Sequence, residues 1–227
     1  MQLTAKSSNA SRPSIGFCIE PLIGSKYVRL RLMSLDGEYL RLTLDENKRN
    51  RLRRLSSSGS RLEFLGYVVD LDSGEFYGSL RGTADFSNVE FEVVQVLLSH
   101  YSKAEPVERA GKLVKFAGLP GGHAYERAFL QRAVQPIADV FGDEPEKLVE
   151  AAERLNGRVL GYGDFSVEIP ALPRIPLVIV LWRADEFPAS ATILYDKSAS
   201  SYLPTEDLAV LGELTTARLL QALNSSA

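Results

Sequence analysis

Two acidic groups and one glycine turn hold the residues of this chain that can do chemistry. Asp164, Asp185 and Glu186, with Arg183 beside them, are hard oxygen donors of the kind that hold Mg²⁺. They can equally supply two carboxylates of separated pKa for acid–base work. The competing reading is a charged turn, in which Arg183 pairs with a carboxylate and Asp164 caps the turn after Gly163. The second group is Asp196 with Lys197, Ser198 and Tyr202. It reads either as a polar pocket closed by loop 197–203, or as an Arg174–Asp196 ion pair with helix capping around Thr205 to Asp207. The turn Gly121-Gly122-His123 is the best anion candidate, since glycines let a backbone approach a ligand and a helix N-terminus offers free amides. Tyr125 and Arg127 follow within the first turn and a half. Its competing reading is that the glycines only allow a tight turn into the helix.

Other chemistries are excluded. The chain has no G-x-S-x-G elbow, Walker loop or H-E-x-x-H, and no G-x-G-x-x-G after a strand. Two histidines and one cysteine leave few nucleophile–base pairs; His123 would have to be the base, and no serine is marked out to partner it. His100, at the end of a helix, reads as a cap or dipole partner. Cys18 stands alone, which rules out a disulfide framework or a cysteine-ligated cluster within one chain. Lys48–Arg54 is basic at five of seven positions and can grip phosphate. Without interleaved aromatics it reads better as a solvated loop or short helix. A net charge of −3 argues against a surface built for nucleic acid or an anionic membrane. The longest apolar run, Ile175–Trp182, is far too short to span a bilayer. A cytoplasmic, soluble protein with no membrane partner is expected, and the residues name no cofactor.

The elements that must position these residues follow from periodicity. Residues 1–20 read as a flexible tail and 21–227 as a single α+β domain. Alternation from Tyr27 to Leu44 around Asp36-Gly37 predicts a hairpin, and Leu62–Val69 with Phe76–Leu80 around Asp72-Ser73-Gly74 predicts another. Ser87 to Glu90 has capping-box spacing for a helix with Phe91, Val94, Leu97, Leu98 and Tyr101 on its core face. A second helix carries Tyr125, Phe129, Ala133, Ile137 and Phe141, with Pro136 interrupting it. Asp143 should cap a third and Gly157 stop it. Phe165–Ile169, Ile175–Trp182 and Ile193–Tyr195 predict three strands, the middle one covered on both faces. Trp182 and Phe187 read as core or loop-anchoring aromatics. The final helix opens at Leu203–Asp207 and turns Leu208, Leu211, Leu219 and Leu220 inward. Segments 81–87 and 102–117 are the weakest joints. The fold class is α+β: N-terminal β-hairpins, central helices, a C-terminal antiparallel three-stranded segment and a final helix, packed as one two-layer domain. If the three strands are consecutive neighbours, Asp164 shares a sheet end with Arg183, Asp185 and Glu186, and Arg174 and Asp196 fall at the other.

The stretches Leu119–Tyr125, Gly161–Asp164, Leu172–Trp182, Asp185–Pro188 and Ile193–Leu211, in this order and spacing, resemble the family catalogued as domain of unknown function 3786. The likeness covers about residues 25–222 and is densest from Gly118 onward. It implies a prokaryotic family of anaerobic bacteria and archaea with no established activity. Some members carry a cysteine-rich iron–sulfur segment; here Cys18 is alone. Members read W-x-G-D-E-E-F-P where this chain has Trp182 to Pro188, one acidic residue shorter and without the glycine.

The functional expectation is a non-catalytic accessory or binding protein, holding a small anionic ligand or a partner protein at Gly121, Gly122, His123, Tyr125 and Arg127. The rival is a metal-assisted hydrolase or lyase using Asp164, Asp185 and Glu186. Nucleic-acid binding through Lys48–Arg54 is a weaker alternative.

Overall fold

The computed structural model describes residues 40–56, 58–78 and 88–224, all within the unit Asp36–Ala227. The expected tail, the first limb of the Tyr27–Leu44 hairpin with its Asp36-Gly37 turn, and the Ser87 cap lie outside the described residues; of the second limb, Leu40–Leu44, only Leu40–Arg41 is strand. The N-terminal strands β1 (Leu40–Arg41), β2 (Arg61–Phe64), β3 (Tyr67–Asp70) and β4 (Glu75–Gly78) form one antiparallel sheet in the order β1-β4-β3-β2. Leu62–Val69, expected as one strand, is therefore two. The chain reverses at Leu65-Gly66, where φ is 49° and 70°, the left-handed pair a two-residue hairpin requires. A leucine there is strained, yet its side chain is fully buried, and that burial holds it in place. Between β1 and β2 runs α1 (Glu46–Leu55), capped by the Asp45 carboxylate on the Lys48 amide at 2.8 Å.

The helix α2 (Asn88–Tyr101) buries Val94, Leu97, Leu98 and Tyr101 on the expected stripe. After β5 (Leu113–Lys115) come two 3₁₀ turns, Phe116–Gly118 and Gly122–Tyr125. A continuous helical rod follows: α3 (Glu126–Phe129), a π turn (Leu130–Val134) and α4 (Gln135–Phe141). Pro136 interrupts the rod less than expected. The helix widens immediately before it, where the missing proline amide would break the ladder. Phe129, Ala133, Ile137 and Phe141 are buried as expected, whereas Tyr125 is exposed. The next helix, α5 (Glu146–Arg154), starts at Pro145 with no side-chain cap, so Asp143 does not cap it. Its stop is Asn156 rather than Gly157. Asn156 takes the left-handed conformation (φ 58°), and the amides of Asn156 and Gly157 bond back to Glu153 and Ala152.

The second sheet has the order β5-β9-β8-β7-β6, built from β6 (Arg158–Leu160), β7 (Phe165–Leu172), β8 (Ile175–Trp182) and β9 (Ser190–Asp196), all antiparallel. The three expected strands are its consecutive centre. One face carries Val167, Ile169, Leu177, Ile179, Ile193 and Tyr195 into the main core. Val178 and Val180 on the other face are also buried, which explains the unbroken apolar run. The last helix, α6 (Thr205–Asn224), buries Leu208, Leu211 and Leu219. It approaches the aromatic centre where Phe116 stacks on Phe129 with ring centroids 4.2 Å apart.

Two buried charges tie α6 to the N-terminal sheet. The Arg218 guanidinium donates to the Leu65 carbonyl at 2.9 Å and lies 4.1 Å over the Tyr67 ring. The Tyr67 hydroxyl donates to Glu90 at 3.1 Å, and Gln221 donates to the same carboxylate at 3.0 Å. Close packing also explains Gly212, because a methyl group there would lie 2.6 Å from both the Phe129 ring and the Tyr195 hydroxyl. Gly212→Ala is accordingly expected to cost about 1–3 kcal/mol. Urea unfolding would report it as a lower midpoint with an unchanged slope.

Candidate functional site

The β7–β8 hairpin turns at Pro173-Arg174 beside a cleft of about 550 Å³. Pro170 and Pro176 sit just past the outer ladders, which end at Arg158↔Glu168 and Leu177↔Tyr195, so their missing amides remove no ladder bond. The Tyr101 hydroxyl fixes the turn by accepting the Arg174 amide at 3.1 Å. Opposite the hairpin, residues 106–111 form a strap. Asp196, at the end of β9 and only 3% exposed, holds the strap by accepting the amides of Ala110 at 2.9 Å and Gly111 at 2.8 Å. The same carboxylate accepts the Ser198 amide at 2.9 Å and its hydroxyl at 2.6 Å. Burial pushes its pKa up, but the Ser198 hydroxyl and the three amides outweigh that and hold it below the usual range. Tyr202 grips the other end of the strap: its hydroxyl donates to the Val107 carbonyl at 2.7 Å and accepts the Val107 amide at 2.9 Å.

Glu168 lies between hairpin and strap, and two guanidinium groups satisfy it. Arg109 donates to one oxygen at 2.9 Å and Arg158 to the other at 2.8 Å. Burial raises the Glu168 pKa, and the bonds and charges of Arg109 and then Arg158 lower it by more, leaving it depressed. Two cleft charges remain. Among the described residues no carboxylate pairs with Arg174, and no cation pairs with Glu108.

Of the groups singled out from sequence, Arg174 and Tyr202 of the second line this cleft and its Asp196 holds the strap, whereas the glycine turn and the Asp164 group fall elsewhere. Gly121 is left-handed (φ 75°), and a Cβ on Gly122 would lie 2.0 Å from the Phe116 carbonyl oxygen, so backbone packing needs both glycines. His123 is exposed and 3.4 Å from Glu126, whose carboxylate already stands at this turn. Tyr125 is exposed and accepts Arg132 at 2.9 Å; Arg127 is exposed as well. Asp164 does share a sheet end with the 183–189 loop, since its carboxylate accepts the Arg183 amide at 3.0 Å. Arg183 itself pairs with Glu146 at 3.6 Å, while Asp185 and Glu186 point to solvent. No three metal-ligating side chains converge among the described residues.

The Arg174–Asp196 ion pair is not formed, because Asp196 spends its oxygens on the strap and Ser198. Thr205 donates to the Pro120 carbonyl at 2.7 Å, while Glu206 and Asp207 stand in the first turn of α6 as expected, and Asp207 accepts His100 of α2 at 2.6 Å. The basic run is α1, and its arginines are engaged: Arg53 with Asp72, Arg54 and Arg51 with Glu105. Trp182 and Phe187 are not core; they are 41% and 78% exposed. What the sequence reading missed is the strap, which it took for a weak joint. The available signal was Pro170, Pro173 and Pro176 clustered at one hairpin, marking where strand pairing must stop.

Fold and cleft define an α+β protein of two antiparallel sheets, with a proline-walled groove at one end of the larger. The chain belongs to the family described as domain of unknown function (DUF3786), which matches residues 51–218. No curated protein and no solved structure matches it. No helix among the described residues is long and apolar enough to cross a membrane.

The depressed carboxylates fix a pH dependence. A group whose folded pKa lies below its unfolded value of about 4 stabilises the fold above that pH and loses the contribution as pH falls through the folded value. Unfolding free energy should therefore drop below about pH 4 as Asp196 and Glu168 protonate. Asp196→Asn should be less stable by about 1–3 kcal/mol at neutral pH and show a shallower acid drop. Denaturant titrations across pH read both, and an unaltered acid slope in the variant would contradict the role given to Asp196.

Proposed function

We propose that this chain is a binding protein that holds a small ligand by its anionic group in the cleft between the strap and the β7–β8 hairpin. The observation that carries this is Arg174: a guanidinium on a fixed turn, at the rim of the cleft, with no carboxylate partner among the described residues. Arginine in that setting offers a planar pair of donors matched to a carboxylate or phosphate. Glu168 does not compete for it, because Arg109 and Arg158 already satisfy that carboxylate. A cleft of about 550 Å³ falls within the ordinary range of small-molecule sites. The anionic-ligand reading thereby moves from the Gly121–Arg127 turn, where Glu126 stands beside His123, to Arg174.

Metal-assisted hydrolysis or lysis through Asp164, Asp185 and Glu186 has less support. Asp164 is engaged by a backbone amide, and the other two carboxylates are solvated. Nucleic-acid binding through α1 has little, since most of its arginines have partners.

A thermal-shift screen of the whole chain against carboxylates and phosphates tests the reading. A ligand at a hundred times its Kd should add about 2.7 kcal/mol of stability, and Arg174→Ala should remove the shift while leaving the unliganded melting temperature unchanged. A shift that survives Arg174→Ala would sink the proposal.

A further inference from the structure

The proline wall and the paired signs of charge narrow the ligand further, on the reading that Arg174 is the anion site. Four cleft residues, Pro106, Pro170, Pro173 and Pro176, have no amide hydrogen to offer. The amides of Val107 and Arg174 are already taken by the Tyr202 and Tyr101 hydroxyls. Backbone recognition of an anion is therefore scarce here, and the donors left are side chains. The four charged lining residues, Glu108, Arg109, Glu168 and Arg174, cancel. Glu168 is engaged by Arg109 and, from outside the lining, by Arg158, which leaves one lining cation, Arg174, and one lining anion, Glu108, open to a ligand. A simple dianion would face Glu108 and gain from only one guanidinium. A simple cation would face Arg174. The rigid pyrrolidine rings, half-buried or exposed, supply an apolar surface that loses little entropy when covered.

We infer that the cleft takes a zwitterion with an apolar side chain: a free amino acid or a short peptide, carboxylate toward Arg174 and ammonium toward Glu108. The charge-assisted bonds fix the two ends, and the proline wall receives the side chain between them.

Calorimetry on the whole chain, with phenylalanine and phenylalanyl-leucine as probes, tests this against matched molecules lacking one charge: phenylpropionate, N-acetylphenylalanine and phenylethylamine. The zwitterions should bind at least about tenfold more tightly than any of the three, which is the difference one well-placed charged contact makes. Glu108→Gln should erase the preference over phenylpropionate and N-acetylphenylalanine, keep the preference over phenylethylamine, which lacks the carboxylate for Arg174, and leave phenylpropionate binding no weaker, because the charge removed is one that an anion would face. Equal binding of phenylpropionate and phenylalanine, both lost in Arg174→Ala, overturns the zwitterion and leaves the anion site standing. Binding of inorganic phosphate or dicarboxylates alone, lost in Arg174→Ala, does the same. Binding of no probe and no anion overturns both, as does binding indifferent to Arg174→Ala.

Discussion

A carboxylate taken out of water must be given donors, and Asp196 collects four from two segments far apart in sequence. That requirement shapes one end of the molecule. The strap has to cross the sheet where β9 ends, so β5 arrives alongside β9 and the Lys112 carbonyl accepts the Lys197 amide at 2.9 Å. Gly111 sits in the strap because its backbone is left-handed there (φ 67°), which puts its amide in reach of the carboxylate. The cleft wall is thus held by an interior charge. A wall resting only on surface ion pairs would be weakly held, since such pairs contribute little.

Arg218, on the last helix, does comparable work for the smaller sheet. Its guanidinium satisfies the carbonyl of a strained turn, covers an aromatic face and shares a network with Glu90. Both devices place a charge in the interior with several partners each, the condition under which burial of an ion is tolerated. Neither is a simple pair, and each joins elements distant in sequence.

The parts of this fold legible in the sequence are those fixed by local rules. Short connections and alternating apolar residues gave the neighbouring order of β7, β8 and β9, and with it the meeting of Asp164 and Arg183. The helical stripe of α2 was equally plain. Strands of three residues, β5 and β6, carry too little pattern to stand out, so a five-stranded sheet read as three. Leu65 broke an apparently continuous strand because tertiary burial overrode its backbone preference. At Asn156 the left-handed stop fell one residue before the glycine that the sequence offered for it. The cleft was hidden for a similar reason. Asp196 looked like the partner of a nearby arginine, whereas its real partners are backbone amides, which leave no trace in residue identity.

Trp182, the chain's one tryptophan, closes the far end of β8, seven residues along the strand from Ile175 at the hairpin. That separation is about 23 Å at the usual rise per residue. Indole emission will therefore follow the melting of the central strand yet stay nearly blind to events at the prolines. Tyr101 and Tyr202, whose rings approach to 5.9 Å, are the chromophores on the informative side.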